Sequence, residues 1–423
     1  MSIFTKRGVR LPLMKEPAAS RPVAEMETVS RVTLPLSVAG DSSRSCRPAL
    51  GIYSSVIRGQ VIGLPEDEGG TPVLSSVTGV LAGIQPLTHP LYGETTCAVL
   101  DCMVAAAAEP VLRPHKGEWK PEEILGAART AGIIDELDGL PLHAKLRAWQ
   151  DGSCNFLVVD AAEQEPYASS GWAVLNESIE QVQEGVALAV TAAGVAGGHI
   201  AVKLPAARRK ELAKRLHNSQ LFQVRSRYPA RQYCHAASDV VVCRIGVQAC
   251  LALYRAVVYG EPQCDCVITV AGDAVATPQN IRVPFGVSVK QVLHACGLSS
   301  DPGYVILGDA VTGVAIQDLE IPVLPGVTCV LALTERKVSA PRPCIGCGRC
   351  AQACHAGLLP SEIAGRLENM HYERLSTLLP TECDGCGACS YVCPAGRDVT
   401  TRVLEAQENA GTIFLNWGDD DDA

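Results

Sequence analysis

Eight cysteines in two short runs constrain this chain more than any other feature. Cys344, Cys347, Cys350 and Cys354 are spaced C-x2-C-x2-C-x3-C, and Cys383, Cys386, Cys389 and Cys393 repeat that spacing, with Pro394 next. Bacterial two-cluster ferredoxins use this pattern. Three thiolates on one tight loop can cap three irons of a cubane, and Gly346, Gly348, Gly385 and Gly387 let the backbone wrap it. The fourth cysteine of each run then points at the other cubane. Two 4Fe–4S clusters are therefore expected. Cys344, Cys347, Cys350 and Cys393 would hold one, and Cys383, Cys386, Cys389 and Cys354 the other. An arrangement in which each run closes its own cluster stays open. Zinc is a further alternative, but zinc sites use two C-x2-C pairs rather than this triplet-plus-one order. His355 stands where proline usually follows a first run. Between the runs, Ile363, Leu367 and Met370 recur at helical spacing, so a helix is expected to fold the two loops back to back.

The remaining composition bounds the setting. The chain has 423 residues, too many for one core. Net charge is −9 with no long basic run, which argues against nucleic acid as a partner. The opening MSIFTKRGVRLPLMKEP has no apolar stretch of a secretory signal. The longest uncharged run, Gly185 to Val202, splits into a helix ending at Gly194 and a strand from His199, so no transmembrane segment is expected. Eleven further cysteines are scattered, which in a leaderless chain points to a reducing compartment. The expected location is cytoplasmic, at most peripheral to the inner face of the membrane. Cys234, Cys243, Cys250, Cys264 and Cys266 fall in one stretch; Cys264 and Cys266 alternate on a strand and are poor chelators together. They read as small buried hydrophobes.

Along the chain the expected fold is multidomain, α/β and β. Residues 1–115 are short β-rich runs cut by turns, a barrel-sandwich-like module. VIRGQVIG and PVLSSVTGVLAGI resemble a biotinyl or lipoyl carrier, but no lysine lies between residues 16 and 115, so neither group can be attached there. Residues 116–260 alternate strands with helices (NFLVVD over Asn155–Asp160, a helix over Glu177–Ala193, a basic helix over Ala206–His217), which implies a parallel sheet. Its ligands are expected at the strands' carboxyl ends, just after NFLVVD. Residues 261–335 suggest a β-grasp module, and residues 336–423 hold both cysteine runs before an acidic tail, Asp419 to Asp422.

With these pieces in order, the chain resembles the C subunit of the Rnf electron-transport complex over nearly its full length. RGVRLPLMKEP, PVLSSVTGV, AGIIDELDGLPLHAKL, AAEQEPY, ITVAGDAVATPQNIRVPFG and CIGCGRCAQAC carry the resemblance. It implies a carrier-like β module, a relative of the complex I flavin domain, an SLBB-like β-grasp module and a dicluster ferredoxin domain. The family also includes soluble members, such as the protein associated with D-proline reductase. Members that use FMN and NADH carry a loop reading roughly GxGGAGFPTxxK. Here the stretch is Asp135 to Lys145; Gly139, Pro141 and Lys145 match, while Asp135, Glu136 and Asp138 replace small residues. Glycine loops bind phosphate because bare N–H groups approach it, and carboxylates would repel it. Lys145 could reach a flavin phosphate, although a surface lysine at a helix start is the plainer reading. Glu163 and Glu165 match the family's E-x-E-P at the nucleotide site, against a plain reading as solvated loop carboxylates.

The leading expectation is an electron-transfer protein relaying single electrons through two 4Fe–4S clusters between a low-potential donor and a partner reductase. FMN and NADH are expected to bind poorly. One alternative is an FMN-dependent NADH-oxidising subunit of an Rnf-type complex; another is a scaffold whose clusters are structural.

Overall fold

The computed structural model describes residues 7–38, 41–67, 70–104, 117–216, 220–224, 227–230, 241–299, 302–335, 340–372 and 375–416. After a single turn, α1 (Glu16–Ala19), come β1 (Ala24–Glu25), β2 (Arg31–Pro35), β3 (Ser37–Val38), β4 (Asp41–Pro48), β5 (Ser55–Val56), β6 (Val61–Pro65), β7 (Val73–Leu74), β8 (Thr78–His89) and β9 (Gly93–Val104). Strands β2 to β9 build two four-stranded sheets, ordered β2-β9-β8-β5 and β3-β4-β6-β7. The strands are short because turn residues interrupt them; only the β8–β9 hairpin runs long. Cys234 lies outside the described residues.

The second region holds α2 (Pro121–Thr130), α3 (Leu142–Ala148), β10 (Phe156–Ala161), α4 (Ser170–Ala193), β11 (Gly198–Val202), α5 (Ala206–Ala213), β12 (Gln220–Gln223), β13 (Val242–Gly246) and α6 (Val247–Tyr259). The sheet is all parallel in the order β12-β11-β10-β13. Leu157, Val158 and Val159 are buried, as the unbroken apolar run in a doubly covered strand requires. Helix α4 begins at Ser170, earlier than its apolar periodicity suggests, because non-helical Ser178 (φ −125°) breaks it in two. The basic helix α5 stops at Ala213 rather than His217. The order reverses between β10 and β13, so this is the sheet's topological switch point.

A six-stranded mixed sheet follows, ordered β1-β15-β14-β18-β16-β17. It comprises β14 (Asp265–Ala271), β15 (Gln279–Pro284), β16 (Tyr304–Leu307), β17 (Val314–Ile316) and β18 (Cys329–Leu333), with α7 (Val289–Ala295). Strand β1 comes from the N-terminal stretch and pairs in parallel with β15. Val32, Leu34, Leu81 and Leu100 share one core with Ile268, Val283 and Val330, so the first sheets and this one fold against each other. The chain ends in α8 (Arg349–Ala353), α9 (Pro360–Glu368), α10 (Ala388–Tyr391) and α11 (Val399–Asn416). No helix among the described residues is long and apolar enough to cross a membrane.

Candidate functional site

The two cysteine runs fold as copies of one another. Each matched position is offset by 39 residues, from Cys344 and Cys383 through to Cys354 and Cys393. Gly346 and Gly385 sit at φ 66° and 69°, and Gly348 and Gly387 at 69° and 73°, left-handed values that a side chain disfavours. Each second glycine starts a short helix, α8 or α10, and each run is followed by a longer one, α9 or α11, whose apolar faces meet at Ile363, Ala364, Val399 and Val403. Ile363 is buried and Leu367 packs beside it, but Met370 lies past the helix end at φ 56° and is 72% exposed. The helical spacing therefore extends one residue too far in the sequence reading.

Cys383 and Cys389 each feel the Cys354 thiol electrostatically, across the two runs. Burial pushes the thiols of Cys383, Cys386 and Cys389 up, Cys386 to about 12. His355, in place of the usual proline, has Nε2 2.8 Å from Asp384 Oδ2, which ties the end of the first run to the second. On the other side, Arg397 senses Cys344, and the Arg342 N–H donates to the Ala395 carbonyl at 2.9 Å. This donor set fits two iron–sulfur cubanes: soft thiolates, tight left-handed glycines and an apolar backing.

The flavin-type loop does something other than repel. Asp135 is fully buried and turns inward. Its Oδ1 accepts from the Gly246 N–H (2.9 Å) and the Leu137 N–H (3.0 Å). Its Oδ2 meets Lys145 Nζ at 2.6 Å, and Asp138 Oδ2 meets the same ammonium at 2.6 Å. Lys145 is thus no surface lysine; its side chain is 9% exposed and held by two carboxylates. Burial works against the ammonium, but Asp135 and Asp138 outweigh it and raise its pKa. Gly139, at φ 72°, spends its N–H on the Asp135 carbonyl. Glu136 lays its carboxylate on the first turn of α6, accepting from the Gln248 N–H (2.7 Å) and the Ala249 N–H (2.9 Å). A side chain at Gly246 would collide with that carboxylate. The crevice at the switch point, where a phosphate would seat on a helix N-terminus, is filled by the chain's own carboxyl group, that of Glu136. These residues do not fit a flavin phosphate. Burial, then the charge of Asp135, pushes the Glu136 carboxyl up to about 8. Lys145→Met should strand the buried Asp135 and cost about 3–5 kcal/mol. An unchanged urea midpoint would refute that dependence.

Glu163 and Glu165 are not solvated loop carboxylates either. Glu163 accepts from Ser170 Oγ (3.0 Å) and the N–H groups of Gly171 (2.8 Å) and Trp172 (3.2 Å), capping α4. Glu165, buried, accepts from the Val311 N–H (2.6 Å), the Thr312 N–H (3.2 Å) and Thr312 Oγ1 (2.8 Å). The Tyr228 hydroxyl lies 2.9 Å from Glu165 Oε1 and 2.6 Å from the Cys386 carbonyl oxygen. The E-x-E-P turn therefore braces the second cysteine loop. Tyr228, Thr312 and Asp384 escaped the sequence reading; only Asp384, lying within a run, carried a local signal. Of the scattered cysteines, nine are buried, including Cys243, Cys250, Cys264 and Cys266, and burial pushes the thiols of Cys46 and Cys97 up to about 11. They behave as small apolar side chains, as expected.

Comparison with known proteins agrees with this geometry. Residues 343–397 match the 4Fe-4S dicluster domain, so the chain is an iron–sulfur protein of electron transport. Residues 4–103 match the RnfC barrel sandwich hybrid domain. In these two segments the chain is similar to RnfC proteins. It is 28% identical to the C subunit of the Na(+)-translocating ferredoxin:NAD(+) oxidoreductase complex of Acetobacterium woodii, over 85% of this chain and 86% of that one. It is 30% identical to the C subunit of the ion-translocating oxidoreductase complex of Rhodobacter capsulatus, over 61% of this chain and 54% of that protein. The C subunit of the proton-translocating ferredoxin:NAD(+) oxidoreductase complex of Clostridium ljungdahlii is 26% identical, over 84% and 83%. Among solved structures, the NAD+-reducing [NiFe]-hydrogenase in its H2-reduced state overlaps at a TM-score of 0.46 with 17% identity, over 71% of this chain and 67% of that chain. That overlap is too loose to assign anything.

Proposed function

We propose that the chain relays single electrons through two 4Fe–4S clusters to or from a partner of an Rnf-type complex, without a flavin of its own. The observation that carries this reading is the 39-residue repeat of the two cysteine runs, supported by the charge that Cys354 of the first run exerts on Cys383 and Cys389 of the second. On this reading Cys344, Cys347, Cys350 and Cys393 hold one cluster, and Cys383, Cys386, Cys389 and Cys354 the other. The clusters supply reversible one-electron chemistry. When bound, the clusters would be held by these cysteines, with the core around Ile363 and Val403 keeping water away and Tyr228 and Glu165 fixing the second loop. His355 and Asp384 clasp the two loops where the pair would face each other.

The four regions act as a barrel-sandwich-like module (1–115), an α/β flavin-domain relative (116–260), a β-grasp module (261–335) and the dicluster domain (336–423). Within the family, the filled crevice favours a branch fed by another protein, such as the one associated with D-proline reductase. The chain would work on the cytoplasmic side, at most peripheral to the membrane. Dithionite followed by air-free oxidation tests the relay. Two clusters that bleach and recover through repeated cycles are expected. Clusters that resist reduction would make them structural and sink the relay.

A further inference from the structure

One cavity of about 170 Å³ opens at the carboxyl ends of β10 and β11, on the opposite flank of β10 from the filled crevice. That volume equals roughly six waters, so it suits a small molecule and not a dinucleotide. Its wall is chiefly carbon, with Trp172 on one side and the Arg208 guanidinium lying 5.5 Å over the indole ring.

Two ammonium groups meet there. Lys15 Nζ donates to the carbonyl oxygens of Glu163 (2.6 Å) and Ala168, which leaves one of its three N–H groups unused. Lys203 is half-buried and has no hydrogen-bond partner among the described residues. Desolvation and the charge of Lys15 both hold the Lys203 ammonium below its usual range. Three of the four nearby carboxylates have other tasks. Glu163 caps α4, Glu16 pairs with Arg208 at 3.0 Å, and Glu165 is taken by Val311, Thr312 and Tyr228; Asp309 lies behind Lys15, with burial pushing its pKa up to about 7. Burial holds the Lys15 pKa below its usual range against the charges of Glu163 and Asp309, and burial and Lys15 together do the same to Lys203, so an anion in the cavity would relieve both lysines.

The backbone around the cavity is also held off its comfortable range. Met14, Glu163 and Tyr167 have φ of 51°, 24° and 69°, three of the six non-glycine residues so placed among the described residues. The Tyr167 N–H donates to the Leu13 carbonyl at 2.9 Å, which locks the two segments together. Such strain gathers where a ligand must be met in a fixed shape.

We propose that this cavity binds a small monocarboxylate with an apolar body, its carboxylate between Lys203 and Lys15 and its body against Trp172. A phosphate would need backbone N–H donors, and the nearby α4 N-terminus already serves Glu163. The proposal is independent of the electron relay.

Calorimetry on the cluster-loaded protein tests it, with benzoate, its neutral isostere benzamide, and inorganic phosphate as probes. Saturable heat from benzoate alone is expected. Lys203→Met should weaken binding about tenfold, with Lys203→Arg recovering part of it. Trp172→Phe should remove the tryptophan fluorescence response to benzoate while heat remains. Unchanged cluster absorbance and circular dichroism certify that each variant is folded. No saturable heat from benzoate, equal binding of benzamide, preference for phosphate, or a Lys203→Met chain that binds as the parent does would each overturn it.

Discussion

A Cys347→Ser chain is expected to carry about four iron atoms where the parent carries about eight. Serine lacks the soft thiolate, and the loop holding Cys347 has no spare sulfur to substitute. The loss should be confined to one centre. Cys347 belongs to the first-run triplet, whereas Cys354 sits among the second-run thiols, which feel its charge. Cys354→Ser should therefore disturb the EPR signal that survives Cys347→Ser, even though both residues lie in the same run. If Cys347→Ser and Cys354→Ser abolish the same signal, each run closes its own cluster and the exchange of ligands is wrong. A parent with about four irons would remove one cluster from the account altogether.

The second large effect concerns flavin. The parent is expected to lose FMN on desalting, with affinity weaker than about 100 µM, a loss of at least a hundredfold against a micromolar site. The cause is occupancy. Glu136 already satisfies the Gln248 and Ala249 N–H groups, and Asp135 satisfies Gly246, so a phosphate has no donors left to meet. Glu136→Ala vacates the α6 turn without changing the fold around Gly246. It should cost about 1–3 kcal/mol of stability, as two N–H groups lose their acceptor, and it should strengthen FMN binding at least tenfold. Sub-micromolar FMN binding by the parent would show that the carboxylates leave the turn in solution, and would revive the NADH-oxidising alternative.

The cysteine runs were legible because cluster ligation is written in local spacing, and the left-handed glycines fall between the ligands. The parallel sheet was legible for a similar reason, since NFLVVD has the unbroken apolar character of a strand covered on both faces. What stayed hidden depends on distant partners. Glu136 meets Gln248 and Ala249, more than a hundred residues on, so its spacing says nothing of burial; only Gly246, a bare residue between an apolar strand and a helix, hinted at a close approach. Lys145 looked exposed because a helix start is usually a surface position, and its two carboxylates were read as repelling a guest rather than holding the lysine. Glu163 capping α4 lies only seven to nine residues from its donors, yet the break at Ser178 blurred where that helix begins.

Residues 7–15 run between regions made far apart in time. The Gly8 N–H donates to the Ala353 carbonyl at 3.0 Å, Val9 pairs with Tyr228, and Lys15 grips Glu163 and Ala168. During synthesis this arm emerges before its partners Tyr228 and Ala353, so its Gly8 end must wait, unseated, while the residues between are translated. Closing so long a loop is slow and rewarded only when both ends are in place. The contact of Gly8 with Ala353 can form only once the cysteine-rich region has left the ribosome, whereas Lys15 can grip Glu163 and Ala168 earlier. The arm can thus close in two stages, its Lys15 end beside the cavity first and its Gly8 end on the cysteine-rich region last.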